Sequence, residues 1–155
     1  MRTTSKSLRP ILLVDDSAND VELTRTALED SGIANEVIVA RDGVEALDFL
    51  FRRGPHAQRT TPDPAVVLLD LKMPRVDGHG VLQEIRRDPT LRCIPVVILT
   101  SSKEEQDLHH SYEHGTNAYV VKPVRFEDFL PAVRQLGVFW ALLNELPPPG
   151  NASTP

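Results

Sequence analysis

The sequence predicts an alternating α/β fold in which a parallel sheet carries helices on both faces. Three observations predict it. Short runs of Val, Leu and Ile recur along the chain between turn residues, the pattern of strands buried on both sides. Segments with apolar residues at helical spacing separate these runs. Four of the runs also end in polar residues suited to phosphoryl chemistry, at the strand ends where open parallel sheets bind ligands.

The elements follow in order. Ile11-Leu12-Leu13-Val14 is the first strand and runs into Asp15 and Asp16. Asn19 to Asp30 places Val21, Thr24, Ala27 and Leu28 on one helical face, and Gly32 stands where that helix stops. Val37 to Ala40 is a second strand, and Gly43 to Arg53 is a helix carrying Val44, Leu47, Leu50 and Phe51. The third strand, Val66 to Leu69, ends in Asp70. Val81, Leu82 and Ile85 mark the next helix, which stops before Pro89. Val96 to Leu99 runs into Thr100. Lys103 to His114 offers only Leu108 and Tyr112 as large apolar residues, the sparse face of a thinly packed fourth helix. Tyr119-Val120-Val121 runs into Lys122-Pro123.

In the last helix Phe126, Phe129, Leu130, Val133, Leu136, Phe139, Trp140 and Leu143 exceed what one sheet-facing stripe requires. Such a surplus suits a partner surface. An interior proline costs ~3 kcal/mol. Pro131 therefore predicts that the regular helix begins near Asp128 as N-cap, or kinks at Pro131.

Five strands and five helices with right-handed crossovers make one domain over residues 9–146. Residues 1–8 form a short N-terminal tail, and residues 147–155, with four prolines, a flexible C-terminal one. Gly54 to Pro64 is a long polar connection with three prolines. It reads equally as a binding surface and as a tolerated surface insertion.

Composition bounds the function. Among 155 residues, 41% hydrophobic and 25% charged content is that of a soluble globular domain. A net charge of −5 argues against a nucleic-acid surface, which is usually basic. The lone Cys93 has no partner for a disulfide and reads as a small apolar residue. Met1 to Arg9 is polar and lacks the apolar core of a signal peptide, and no apolar stretch approaches the ~20 residues of a membrane span. A cytoplasmic location, away from membrane and DNA, is expected.

The strand ends carry the chemistry. Asp15, Asp16 and Asp70 brought together would repel one another, and a hard divalent cation such as Mg²⁺ relieves this with carboxylate, carbonyl and water oxygens. Asp70 can then act as a nucleophile toward a phosphoryl donor and form an acyl phosphate. Lys122 neutralises charge on the phosphoryl oxygens, and Thr100 supplies a hydroxyl to them. Singly, an Asp closing a strand is an ordinary cap or turn former. The order Asp-Asp, Asp, Thr, Lys-Pro, each after its own buried run, is what points to a shared site.

With these motifs on the page, Leu-Val-Asp-Asp, Leu-Leu-Asp-Leu-Lys-Met-Pro-Arg-Val-Asp-Gly, Ile-Leu-Thr-Ser and Tyr-Val-Val-Lys-Pro, the chain resembles a response-regulator receiver domain of two-component signalling. The resemblance implies the flavodoxin-like (βα)5 fold, a three-layer sandwich with strand order 2-1-3-4-5. It implies that Asp70 is the phosphorylation site, with phosphate drawn from a sensor histidine kinase in a Mg²⁺-dependent reaction. Asp15 and Asp16 would be the acidic pair, and Asp16, Asp70 and the backbone carbonyl of Lys72 metal ligands. Thr100 and Tyr119 would form the switch pair, Lys122 would be the family's lysine, and Lys122-Pro123 would be cis. Lys72, Ser101 and Ser102 would flank the phosphate and tune its hydrolysis. The protein would thus be a phosphoacceptor that catalyses its own phosphorylation and dephosphorylation rather than an enzyme acting on other substrates.

A narrower resemblance, to the small response regulators of phytochrome histidine kinases, rests on Asp20-Val21-Glu22-Leu23-Thr24, on Ala46-Leu47-Asp48-Phe49-Leu50 with the Arg-Arg-Gly-Pro that follows, on the long loop, and on the Phe139-Trp140 ending. It implies light signalling and a homodimer through the face formed by the fourth helix, fifth strand and last helix. Arg125, where an acidic capping residue is common, and Pro131 depart from the family pattern.

Other readings fit less well. A general chemotaxis-like or phosphorelay receiver would share the site and differ in kinase. A flavin module needs a Ser/Thr/Gly-rich phosphate cradle where Asp15 and Asp16 stand. A phosphoaspartate hydrolase typically carries a second Asp at the position of Lys72.

Overall fold

The computed structural model describes residues 9–71, 73, 77–100 and 117–136. Strands β1 (Ile11–Val14), β2 (Val37–Ala40), β3 (Val66–Asp70), β4 (Val96–Thr100) and β5 (Asn117–Val121) alternate with helices α1 (Ala18–Asp30), α2 (Gly43–Phe51), α3 (Gly78–Arg87) and α4 (Phe126–Leu136). Short 3-10 turns cover Gly54–His56 and Leu91–Cys93. The sheet is parallel throughout, in the order β2-β1-β3-β4-β5. This is the doubly wound, flavodoxin-like arrangement that the sequence predicts. The expected helix over Lys103 to His114, Ser101, Ser102, the Lys72 carbonyl, both tails and Phe139 to Leu143 lie outside the described residues.

Strand alternation splits the interior into two cores. Ile11, Leu13, Val66, Leu68, Val97 and Leu99 pack with Val21 and Leu28 of α1 and Phe129 and Val133 of α4. Leu12, Val14, Val67, Leu69, Val96 and Ile98 pack with Leu47 and Leu50 of α2 and Val81 and Ile85 of α3. Each fully buried Leu, Ile or Phe contributes ~1.5–3 kcal/mol relative to exposure. The contiguous apolar runs exist because both strand faces are covered. No helix among the described residues is long and apolar enough to cross a membrane.

Three local readings are refined. The helix after Asn19 begins at Ala18 behind an N-cap at Ser17, and Gly32 adopts φ +78° just past its end. The second helix stops at Phe51, short of Arg53, because Arg52 turns left-handed at φ 56°. In α4 the structure corrects the expected N-cap at Asp128. The helix starts at Phe126, and the Arg125 carbonyl accepts from the N–H groups of Asp128 and Phe129 at 3.0 and 2.8 Å. Pro131 therefore sits inside the helix and removes one donor. The buried Phe129, Ala132 and Val133 hold this segment against the sheet, and packing outweighs that loss.

The long connection is built around Arg59. Its guanidinium donates to the carbonyls of Phe49, Thr61 and Pro62 and to the Asp63 carboxylate, at 2.7 to 3.0 Å. It also lies 4.1 Å from the centroid of the Phe49 ring. Arg9 ties the end of the loop down by donating to the carbonyls of Asp63 and Pro64.

Candidate functional site

Register brings the site to one edge. Val14 lies opposite Leu69, Asp70 opposite Leu99, and Thr100 opposite Val121. Asp15, Asp70, Thr100 and Lys122 thus end up at the carboxyl ends of neighbouring strands. The Lys122 N–H donates to the Thr100 carbonyl at 2.7 Å, extending the ladder one residue. Lys122-Pro123 is cis, as the receiver resemblance implies.

Asp15 is fully buried, and its Oδ1 accepts from the Ser17 N–H at 3.0 Å. The Ser17 hydroxyl in turn accepts from the Asp20 N–H at 3.2 Å, which caps α1 over the acidic pair. Asp16 is exposed, whereas Asp70 is buried. Carboxylate oxygens of Asp15, Asp16 and Asp70 lie within 4.8 Å of one another, the one such potential metal group among the described residues. Hard oxygens at this spacing, open to water on the Asp16 side, fit a divalent cation that keeps several waters.

Lys122 enters from β5. Its Nζ lies 2.9 Å from Asp20 Oδ2, 3.2 Å from Asp70 Oδ2 and 3.4 Å from Asp15 Oδ2. Burial alone would lower the pKa of this ammonium. The hydrogen bond to Asp20 and the charges of Asp70 and Asp15 together outweigh burial and push it above the ordinary lysine value. Burial acts the other way on Asp15 and raises its carboxyl to about 6, against the lowering effects of the Ser17 N–H and Lys122.

Thr100 is fully buried. Tyr119 is half-buried and packs on the α2–α3 side of the sheet, paired with Ile98. Since Ile98 and Thr100 are two residues apart on β4, Thr100 and Tyr119 belong to the same face on adjacent strands.

Every expected side chain that is described therefore reaches this edge, with Tyr119 one pair deeper. Two contributors were not anticipated. Asp20 makes the shortest contact to Lys122. In sequence it is an acidic residue in the first turn of the helix after Asp15-Asp16 and opens the Asp20-to-Thr24 stretch of the narrower resemblance. Neither points to a contact with Lys122. Gly78 opens α3 where a Cβ would strike the Asp70 carbonyl oxygen and lie 2.5 Å from Leu71 Cα. Its N–H donates to the Leu71 carbonyl at 3.1 Å, clamping the chain beside Asp70. The Asp77-Gly78 pair that ends the second motif is its sequence trace.

Known proteins give the comparison. The chain is 40% identical over 147 residues to response regulator Rcp1 of Synechocystis sp., covering 95% of this chain and 99% of that protein. The solved bacteriophytochrome response regulator AtBRR is 63% identical with a TM-score of 0.84, over 90% of this chain and 100% of that one. A solved Mn²⁺-bound form of Rcp1 is 39% identical with a TM-score of 0.68, over 90% of this chain and 99% of that one. That structure holds a divalent cation in a protein of this fold. The response regulator receiver domain model matches residues 11–134, and the chain belongs to that family.

Proposed function

We propose that Asp70 accepts a phosphoryl group from a sensor histidine kinase and that the resulting charge is read by Thr100 and Tyr119. The observation that carries this is the position of the Asp70 carboxylate, 3.2 Å from the Lys122 ammonium and within 4.8 Å of the acidic pair. In the forward step an Asp70 oxygen attacks the phosphorus of a phosphohistidine. The P–N bond breaks, its electron pair returns to the imidazole, and an acyl phosphate P–O bond forms. Hydrolysis reverses the gain: water attacks phosphorus, and Asp70 leaves as carboxylate.

Asp15, Asp16 and Asp70 are the residues that would hold Mg²⁺, together with the Lys72 carbonyl. The ion supplies charge neutralisation for the phosphoryl oxygens. Lys122 adds a mobile ammonium at the same oxygens. The Thr100 hydroxyl moves toward the new charge, and Tyr119, on the same face of the next strand, turns into the space released. Chemistry of this kind is self-phosphorylation and self-dephosphorylation at one side chain.

The kinase is a phytochrome, a reading supported by the bacteriophytochrome regulator named among the similar structures and by the shared motifs around Asp20 and Ala46. A homodimer over the helix expected at Lys103 to His114, the fifth strand and the last helix is supported by the apolar surplus of the last helix in sequence. The test is to treat wild type and Asp70→Asn with acetyl phosphate and Mg²⁺, and to follow intact mass and light scattering. Wild type gains one phosphoryl group and Asp70→Asn gains none. Uptake by Asp70→Asn at the wild-type rate would refute the assignment of Asp70. A monomer in every state would refute the dimer.

A further inference from the structure

Asp20 holds the ammonium that the phosphoryl group needs. Lys122 Nζ stands closer to Asp20 Oδ2, at 2.9 Å, than to Asp70 Oδ2, at 3.2 Å, or Asp15 Oδ2, at 3.4 Å. Among the described residues Asp20 is outside the set of oxygens that could share a cation, and Lys122 is the cation it pairs with. Its backbone is fixed in the first turn of α1 by the Ser17 cap. Its carboxylate is 30% exposed, while that of Asp70 is 7% exposed, so Asp20 sits on the outer side of the ammonium.

We propose that Asp20 is a positioning residue that competes with the phosphoryl group for Lys122 and so limits how tightly the site retains phosphate. The backbone placement of Lys122 does not depend on it. The β5 end is fixed by the bond from the Lys122 N–H to the Thr100 carbonyl, and Asp15 and Asp70 draw the ammonium inward. What Asp20 adds is a negative charge and a preferred acceptor on the outer side. An incoming phosphoryl group must draw the ammonium away from that acceptor, against its charge. The inference rests on the proposed role of Asp70.

The test uses beryllofluoride with Mg²⁺, a stable mimic of the phosphoryl group, titrated into the full chain and followed by ¹⁹F NMR. Asp20→Asn keeps the shape and an acceptor oxygen but removes the charge, and it binds the mimic about fivefold more tightly, the effect of one nearby charge in a partly solvated site. In a Lys122→Gln background the gain from Asp20→Asn drops below about twofold, since no ammonium remains to compete for. Unchanged or weaker binding by Asp20→Asn would overturn the inference. So would an undiminished gain in the Lys122→Gln background, which would make Asp20 a mere charge near the site. If wild type itself takes up no beryllofluoride, the reading of Asp70 fails first and this one with it.

Discussion

Arg59 and Lys122 are both cations withdrawn from water, and their surroundings differ in kind. Arg59, whose side chain is 3% exposed, meets three carbonyls, one carboxylate and an aromatic ring. Its charge meets Asp63, which Arg52 approaches more distantly at 4.0 Å, and its planar fork is well filled by carbonyls. Lys122, 16% exposed, meets three carboxylates with a fourth close by. The first arrangement closes a loop and leaves little unsatisfied. The second is outnumbered and can accept a further cation or exchange a partner. Balance marks a structural use of buried charge; imbalance marks a site where something else is meant to arrive.

The contrast can be broken most forcefully at Arg59. Arg59→Ala is expected to cost about 3 kcal/mol, because a buried charge-assisted network loses its centre. Lysine at that position recovers little of it, lacking the planar fork. Urea denaturation with and without Mg²⁺ should give the same loss, because no metal group includes the loop. Lys122→Ala should behave oppositely: destabilised without the cation, where three carboxylates face one another, and largely restored by millimolar Mg²⁺. Equal Mg²⁺ dependence of the two variants would dissolve the distinction.

A middle-sized effect is expected at Gly78. The methyl of Gly78→Ala meets main-chain atoms of Asp70 and Leu71 at closer range than the Leu71 side chain, so moving that side chain aside does not make room. A loss of about 2 kcal/mol follows from the forced backbone shift. Phosphoryl uptake should fall with it, since the displaced strand end carries Asp70. Normal uptake in a destabilised variant would separate the clamp from the site.

The smallest effect concerns pH. The Asp15 carboxyl sits at about 6 in the folded protein and near 3.8 when exposed. Between those values the folded chain binds a proton that the unfolded chain does not. Stability of the cation-free protein should therefore fall as pH rises from about 4 to about 6, and change little from this group above that. Asp15→Asn should remove the slope and stabilise the cation-free protein at pH 7, because the raised carboxyl pKa already includes the attraction of Lys122. Chemical denaturation in EDTA across this range is the measurement; stability rising with pH in wild type would reverse the sign.

What could be read in advance follows from where information sits along the chain. Strands covered on both faces must be apolar at consecutive positions, so Ile11 to Val14 and Val66 to Leu69 were legible without any contact being known. Asp15, Asp70, Thr100 and Lys122 were legible because parallel strands end on one edge. Asp20 was not, because it lies on a helix rather than at a strand end, and an acidic first-turn residue is ordinary there. Only the reach of Lys122 across from β5 gives it a role. The loop reads two ways in sequence because the inward fold of Arg59 depends on Phe49, Asp63 and main-chain oxygens together. At α4 a local rule about proline lost to the burial of Phe129 and Val133.

The crowding of carboxylates at one edge also gives the molecule an electrical shape. Asp15, Asp16, Asp20 and Asp70 against Lys122 leave a formal excess of three negative charges there, more than half of the chain's net −5. Among the described residues this edge is therefore a concentrated negative patch. Divalent ions are steered toward it before any ligand contact, and anionic phosphoryl donors are turned away until an ion has arrived. That ordering should be sharpest in dilute buffer and blunted as salt shortens the range of the field to about 8 Å at physiological ionic strength.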